Sequence, residues 1–333
     1  MKPSISRRDF LYRTSAALAG SGLLATRPAT SILAAPSTGF HGIFAILQTP
    51  FDKDDQVDWD SLTREVTFCV RAGDHGVVWP QLAGEFYLLT EEERTRGAEM
   101  ILQAASGRTK VVIGVQAPSS GLAGKFAKHA EGHGADAVIA LPPYLGSVGL
   151  EGAASYYHAL AQAVRIPVFI QNSGAPWGPA MPTDFVIRLA RENPQLANIK
   201  EEVAPVAHRI SEYASSGVMK AIFSGSAGRN FLDELAHGAA GTMPACQFTD
   251  VSVQIYNLAA QGKLPEARAI FEKLLPMINL EEIYGLPFMK EVLVRRGVFA
   301  TAKLRGVTGG GLDDLDRQEL DGWWQELAPY LKA

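Results

Sequence analysis

Short unbroken apolar runs alternate along this chain with longer stretches in which apolar residues recur every three or four positions. The runs GIFAILQT (42–49), GVVWP (76–80), KVVIGV (110–115) and ADAVIALPP (135–143) predict strands. So do IPVFIQN (166–172), NIKEE (198–202), KAIFSG (220–225) and AAGTMPA (239–245). They are continuous rather than alternating, as strands of a parallel sheet buried on both faces must be. The amphipathic stretches between them, 58–73, 90–106, 119–134, 151–164, 181–193, 205–217 and 228–238, predict helices. Gly73 ends the first, and Thr90 with Glu93 has capping-box spacing at the start of the second. Eight strand–helix repeats within residues 36–248 predict an α/β fold, the (β/α)8 TIM barrel. Residues 249–333 read as a helical extension packed on the barrel, through DVSVQIYNLAAQG, LPEARAIFEKLLPMINL and GLPFMKEVLVRRG.

The pattern breaks at the N-terminus. SRRDFL (6–11) precedes a mildly apolar run, TSAALAGSGLLA (14–25), and a small-residue stretch, ILAAPS (32–37). That is the order of an export signal: basic region, apolar region, cleavage region. The apolar run falls short of the ~20 residues a membrane-spanning helix needs. Arg7-Arg8 with Phe10-Leu11 resembles a twin-arginine signal, and the weakly apolar run favours it over an ordinary secretory signal. The expected leader is residues 1–35, cut near Ala34 or Ala35, so the mature protein is expected to be periplasmic or extracellular.

The leader carries five of the 31 basic residues and one of the 35 acidic ones, so the formal charge of −4 becomes −8 without it. That excludes a nucleic acid or an anionic membrane surface as an expected partner. Machinery that exports folded proteins is an expected one. Cys69 and Cys246 could pair in an oxidising compartment, but far apart in sequence and each in an apolar setting they read as two buried free thiols. No CxxC or His-rich metal pattern, phosphate loop or dinucleotide fingerprint appears, so no metal or cofactor is expected. GVTGGGLDD (306–314) follows no strand and reads as a connection.

In a (β/α)8 barrel the active site lies at the carboxyl ends of the strands. Those ends carry Gln48, Gln81, Glu85, Gln116, Tyr144, Gln171, Asn172, Lys200 and Ser224. Lys200 is the lysine among them. A primary amine in a barrel mouth can form a Schiff base if its surroundings favour the neutral form. The alternative is a structural lysine, turned outward or paired with Glu201 or Glu202. Four glutamines around the mouth suit a ligand rich in hydroxyls, although some of them could brace loops. Trp177, in the constrained loop SGAPWGPAMP (173–182), is a candidate pocket wall.

These residues carry a resemblance. GIFAILQTPFDKDDQVDWDSL, LAGE (82–85), GADAVIALPPY (134–144), NIKEE and GAAGTMPA resemble segments of the dihydrodipicolinate synthase/N-acetylneuraminate lyase family, from about Gly39 to about Arg305. The resemblance implies a barrel with C-terminal helices, a homo-oligomer, and an imine between Lys200 and a 2-oxo acid that serves as an electron sink. The chain departs from the family where protons are handled. Leu82 and Ala83 stand where the family has two threonines, leaving backbone N–H groups at Ala83 and Gly84 for a substrate carboxylate. Gln171 stands in place of a tyrosine and Leu145 in place of a second one. The family's arginine falls at Pro176 or Trp177.

The expected function is therefore a Schiff-base aldolase or dehydratase for a 2-oxo acid or 2-oxo sugar acid met outside the cytoplasm. Lys200, Tyr144 and Glu85 are the expected catalytic groups, with Glu201 or a water as alternatives for proton transfer. Ala83, Gly84, Gln48, Gln81, Gln171, Asn172 and Ser224 are the expected substrate contacts. The competing readings are a barrel that binds a sugar acid without turnover and a non-imine enzyme on the same fold.

Overall fold

The computed structural model describes residues 39–146, 148–306 and 311–333. The leader expected at 1–35 and positions 307–310 of the glycine-rich connection lie outside the described residues. Eight parallel strands close into a barrel in sequence order: β1 (Gly42–Ile46), β2 (Gly76–Trp79), β3 (Lys110–Gly114), β4 (Ala137–Ala140), β5 (Val168–Asn172), β6 (Asn198–Glu201), β7 (Ala221–Ser224) and β8 (Gly241–Thr242). Closure pairs Gly42 with Gly241. A Cβ on Gly241 would lie 1.9 Å from the Gly42 carbonyl oxygen, so the seam admits only glycine there. β8 is shorter than the run 239–245 suggested, although Met243 N still donates to the Ser224 carbonyl and Ala245 still bridges to Ile46.

The helices that follow the strands are α1 (Trp59–Ala72), α2 (Glu91–Ala105), α3 (Ser120–Gly132), α4 (Gly149–Ala163), α5 (Thr183–Glu192), α6 (Val206–Ser215), α7 (Phe231–Ala236) and α8 (Thr249–Ala260). Thr90 and Glu93 form the expected capping box, and Gly73 caps α1 in the left-handed region at φ 87°. Beyond α8 come α9 (Leu264–Tyr284), α10 (Leu286–Arg295) and α11 (Asp314–Leu327). α9 runs through Pro276, as the segment LPEARAIFEKLLPMINL does, and continues beyond it to Tyr284. Among the described residues no helix is long and apolar enough to cross a membrane.

Strand residues alternate between two cores, as the pleat requires. Phe44, Val78, Val112, Ile139, Phe169 and Phe223 fill the barrel. Phe223 meets Phe44 and Phe169 at centroid distances of 5.0 and 5.9 Å, tilted edge to face. Ile43, Val77, Val111, Val138, Ile170 and Ile222 point outward into the helix layer. That alternation decides which strand-end residues reach the mouth. Cys69 and Cys246 are both buried free thiols.

Candidate active site

Lys200 lies in register with Gln171 on β5 and with Phe223 on β7. Phe223 faces the barrel interior, so Lys200 does too, one layer above the aromatic plug. Its side chain is 6% exposed. It lines a cavity of about 280 Å³ at the carboxyl end of the barrel, together with Gln81, Ala83, Glu202, Ser226 and Met243. The far wall comes from outside the barrel proper: Glu281, Leu286 and Met289, where α9 turns into α10.

The Lys200 amine is 3.2 Å from the Glu202 carboxylate. Glu202 is held from behind by Gln171 Nε2, which donates at 2.7 Å, and by the Ser173 hydroxyl, which donates to the same oxygen. The Ser226 N–H approaches its other oxygen at 3.4 Å. Burial alone would push this carboxyl up. The Lys200 charge and the Ser173 and Gln171 hydrogen bonds outweigh it and hold the group below the ordinary glutamate range. Glu202 is therefore a carboxylate at neutral pH. Gly225 makes room for it: a Cβ there would lie 2.2 Å from Glu202 Oε1. Ser226 and Ala227 follow with φ of 50° and 57°, a backbone that non-glycine residues rarely adopt and that clusters at functional sites.

Glu201 points the opposite way. It accepts from Tyr213 Oη at 2.7 Å and Asn172 Nδ2 at 2.9 Å, and pairs with Arg209 at 3.0 Å. Its other oxygen accepts the N–H groups of Glu202 and Val203, which fixes the chain just where Glu202 leaves the strand. Across the cavity, Gln81 donates to Gln116 Oε1 at 3.0 Å, and Gln116 donates to the Pro80 carbonyl at 2.8 Å. This leaves Gln81 Oε1 buried and without a partner. Burial pushes the Glu281 carboxyl up to about 8, despite a hydrogen bond from Gln247 Nε2 at 2.6 Å. At neutral pH it is a carboxylic acid, able to donate into the cavity.

Several expected contacts fall elsewhere. Glu85 does not line the cavity: it is 2% exposed and forms an ion pair with Lys290, which is fully buried. Burial pushes the Glu85 carboxyl up and the Lys290 ammonium down, and their mutual attraction opposes both shifts. This pair ties the loop after β2 to α10, a structural role for Glu85. Tyr144 lines a separate groove with Ala175, Pro176 and Gly178. Its ring packs on Phe86 at 5.3 Å and near Trp177 at 6.4 Å, and Trp177 stacks on Tyr87 at 5.5 Å. Neither Tyr144 nor Trp177 lines the cavity that holds Lys200.

Gln48 is wholly buried, donates to the Ile46 carbonyl at 2.9 Å and receives the Cys246 thiol. The Gly84 N–H is spent on the Gln81 carbonyl at 2.9 Å, and its own carbonyl accepts from Thr49. Asn172 clamps Met181 through both backbone groups at 2.9 Å. Ser224 has the same orientation as Ile222 and faces Glu234 of α7. None of these four lines the cavity that holds Lys200. Gln171 acts one step back, by holding Glu202. Ser226, at the end of β7, lines the cavity as strand-end inspection expects, while Glu202 and Glu281 are the cavity groups it missed. A metal-ligand cluster also escaped it: Glu99, His129 and His133 bring their ligand atoms within 4.8 Å of one another on the outer surface.

Fold and cavity define a class: a (β/α)8 barrel with a buried lysine at the mouth and a helical extension closing one side of the site. The profile of the dihydrodipicolinate synthetase family matches residues 39–309, and the chain belongs to that family as a lyase of its type. It is 30% identical over 256 residues to a protein of Escherichia coli described as a probable 2-dehydro-3-deoxy-D-pentonate aldolase, covering 75% of this chain and 84% of that one. It is 29% identical over 270 residues to the L-2-keto-3-deoxyarabonate dehydratase of Azospirillum brasilense, covering 79% and 87%. Among solved structures, the chloride-inhibited dihydrodipicolinate synthase of Acinetobacter baumannii, in complex with pyruvate, is 27% identical. It superposes with a TM-score of 0.79 over 87% of this chain and 99% of that one.

Proposed function

We propose that this protein is a Schiff-base lyase that cleaves or dehydrates a 2-oxo-3-deoxy sugar acid after export from the cytoplasm. The observation that carries the proposal is Lys200: a buried amine at the end of β6, in contact with a carboxylate and open to a small cavity whose largely apolar wall carries Gln81, Glu202, Ser226 and Glu281. A charged group is kept out of water at a cost unless it is paired or used.

The cavity supports the sugar-acid class. An unsatisfied buried acceptor costs about 1–3 kcal/mol, and Gln81 Oε1 is one. A substrate hydroxyl would satisfy it. Glu281, as a neutral acid, offers a donor on the opposite wall. Such groups match a chain of hydroxyls better than a plain 2-oxo acid. Two relatives whose names specify five-carbon 2-oxo-3-deoxy acids support the same class. The Arg7-Arg8 leader and the acidic mature chain support export, and family membership supports a homo-oligomer.

One preparation tests substrate and export together. The protein is recovered from the extracytoplasmic fraction, its amino terminus is determined, and it is assayed with 2-oxo-3-deoxy pentonates and hexonates. The expected chain starts near residue 36. It releases pyruvate, or a dehydrated 2-oxo product, from at least one pentonate. A chain retained in the cytoplasm with its leader contradicts export. A folded protein that converts none of the sugar acids contradicts the substrate class.

A further inference from the structure

We propose that Glu202 is the acid/base group at the reacting nitrogen of this active site and takes over the proton transfers of the missing hydroxyls. The proposal rests on the Schiff-base reading above. Glu202 is the titratable side chain that contacts the reacting nitrogen, at 3.2 Å. Leu82, Ala83 and Gln171 cannot move protons, Tyr144 lies in another groove, and Glu85 is committed to Lys290.

The proton balance closes on this one carboxyl. The Lys200 ammonium passes a proton to the Glu202 carboxylate, giving a neutral amine and a carboxylic acid. The amine attacks the 2-oxo carbon, a C–N bond forms, and the C=O π pair moves to oxygen. Glu202 gives its proton to that oxygen and takes one from the nitrogen, leaving a neutral carbinolamine. It then protonates the hydroxyl, which departs as water, and an iminium stands beside a carboxylate once more. In aldol cleavage the carboxylate next takes the proton of the C4 hydroxyl, the C3–C4 bond breaks, and its electron pair enters the iminium as an enamine. The same carboxyl then protonates C3. In dehydration it would take the C3 proton and return it to the departing C4 hydroxyl. The hydrogen bonds from Gln171 and Ser173 hold the group in position for each transfer.

The sign of a substitution separates this role from a counter-ion's. Removing an opposite charge 3.2 Å from an amine favours its neutral, attacking form. A mere counter-ion, once removed, would leave imine formation with pyruvate unchanged or faster near neutral pH. A proton relay, once removed, slows it. Glu202→Gln is expected to slow imine formation and turnover by about 10²- to 10⁴-fold. It is also expected to abolish the acid limb of the pH profile, which in the parent lies below the ordinary glutamate range. Glu202→Ala is expected to regain part of its rate with added formate. Imine formation in both variants at or above the parent rate overturns the proposal while leaving the Schiff base intact. A parent protein that forms no adduct overturns both.

A second observation, remote from the mouth, points to a surface site for a divalent transition metal. His129 and His133 are four residues apart at the end of α3 and lie on one face. Glu99 of α2 faces them. Its Oε1 is 2.9 Å from His129 Nε2 and 3.6 Å from His133 Nε2. Ligands about 2.1 Å from a tetrahedral zinc lie about 3.4 Å apart, so these separations bracket what one ion requires. His133 Nδ1 is 2.8 Å from the His129 carbonyl, a bond that assigns its proton to Nδ1 and frees Nε2 for a metal. We infer that this trio takes Zn²⁺ or Ni²⁺ and clamps α2 to α3. Calorimetric titration of the untagged protein with each ion tests it. One ion per chain, with affinity falling at least tenfold in both His129→Ala and His133→Ala, is expected. No binding, or binding that both variants keep, overturns the inference.

Discussion

Lys200→Ala is expected to leave a folded barrel that forms no reducible adduct with any 2-oxo acid and turns over at least about 10⁴-fold more slowly. Losses on this scale follow when a covalent nucleophile is removed while binding groups remain. Glu202 cannot substitute for it, since a carboxylate gives no imine and no electron sink. The cavity walls persist, because Gln81, Met243 and Glu281 owe their positions to other contacts. Substrate affinity should therefore fall far less than turnover. Single-turnover assays, with thermal melting to establish folding, check this. A variant that keeps a tenth of the parent rate would exclude Lys200 as the nucleophile.

The second large effect is on stability. Glu85→Ala is expected to cost about 3–5 kcal/mol, the penalty for leaving one partner of a buried ion pair uncompensated. Both groups are nearly inaccessible, at 2% and 0% exposure, so water does little to relieve the orphaned ammonium. Lys290 keeps the Lys303 carbonyl at 3.0 Å, the face of Phe51 at 4.5 Å and the more distant Glu65 carboxyl. The double variant Glu85→Ala/Lys290→Met is expected to recover most of the loss, because an apolar replacement removes the uncompensated charge. Urea unfolding measures both. A loss under 1 kcal/mol in the single variant would mean that the pair does not hold the loop to α10.

The sequence carried the barrel because each strand is a short apolar run between helical periods, and that rhythm survives in a single chain. It carried Lys200 because NIKEE resembles a family segment and because a lysine in such a run is costly. It also named Glu202, as a pairing partner of Lys200, and the structure shows that pair. Side chains alternate along a strand, so Lys200 and Glu202, two residues apart, share a face while Glu201 takes the other. The same parity sends Asn172 and Ser224 outward, although a plain inspection of strand ends counts them at the mouth.

Other parts had no local signal. Glu85 and Lys290 lie on distant segments that meet only when α10 docks against the loop after β2. Glu281 reaches the cavity from the helical extension, which no strand count includes. The final helix, α11, went unassigned because its sequence is densely charged and buries only Leu320 and Leu327. The His129–His133 pair was visible as a four-residue spacing, but its third ligand, Glu99, comes from the neighbouring helix.

The most direct test of the account is imine trapping. The mature protein is incubated with pyruvate or a 2-oxo-3-deoxy pentonate and reduced with borohydride, and the modified peptide is mapped by mass spectrometry. The account predicts one adduct per chain, on Lys200. A folded protein with no adduct, or with the adduct on Lys290 or a surface lysine, would contradict it.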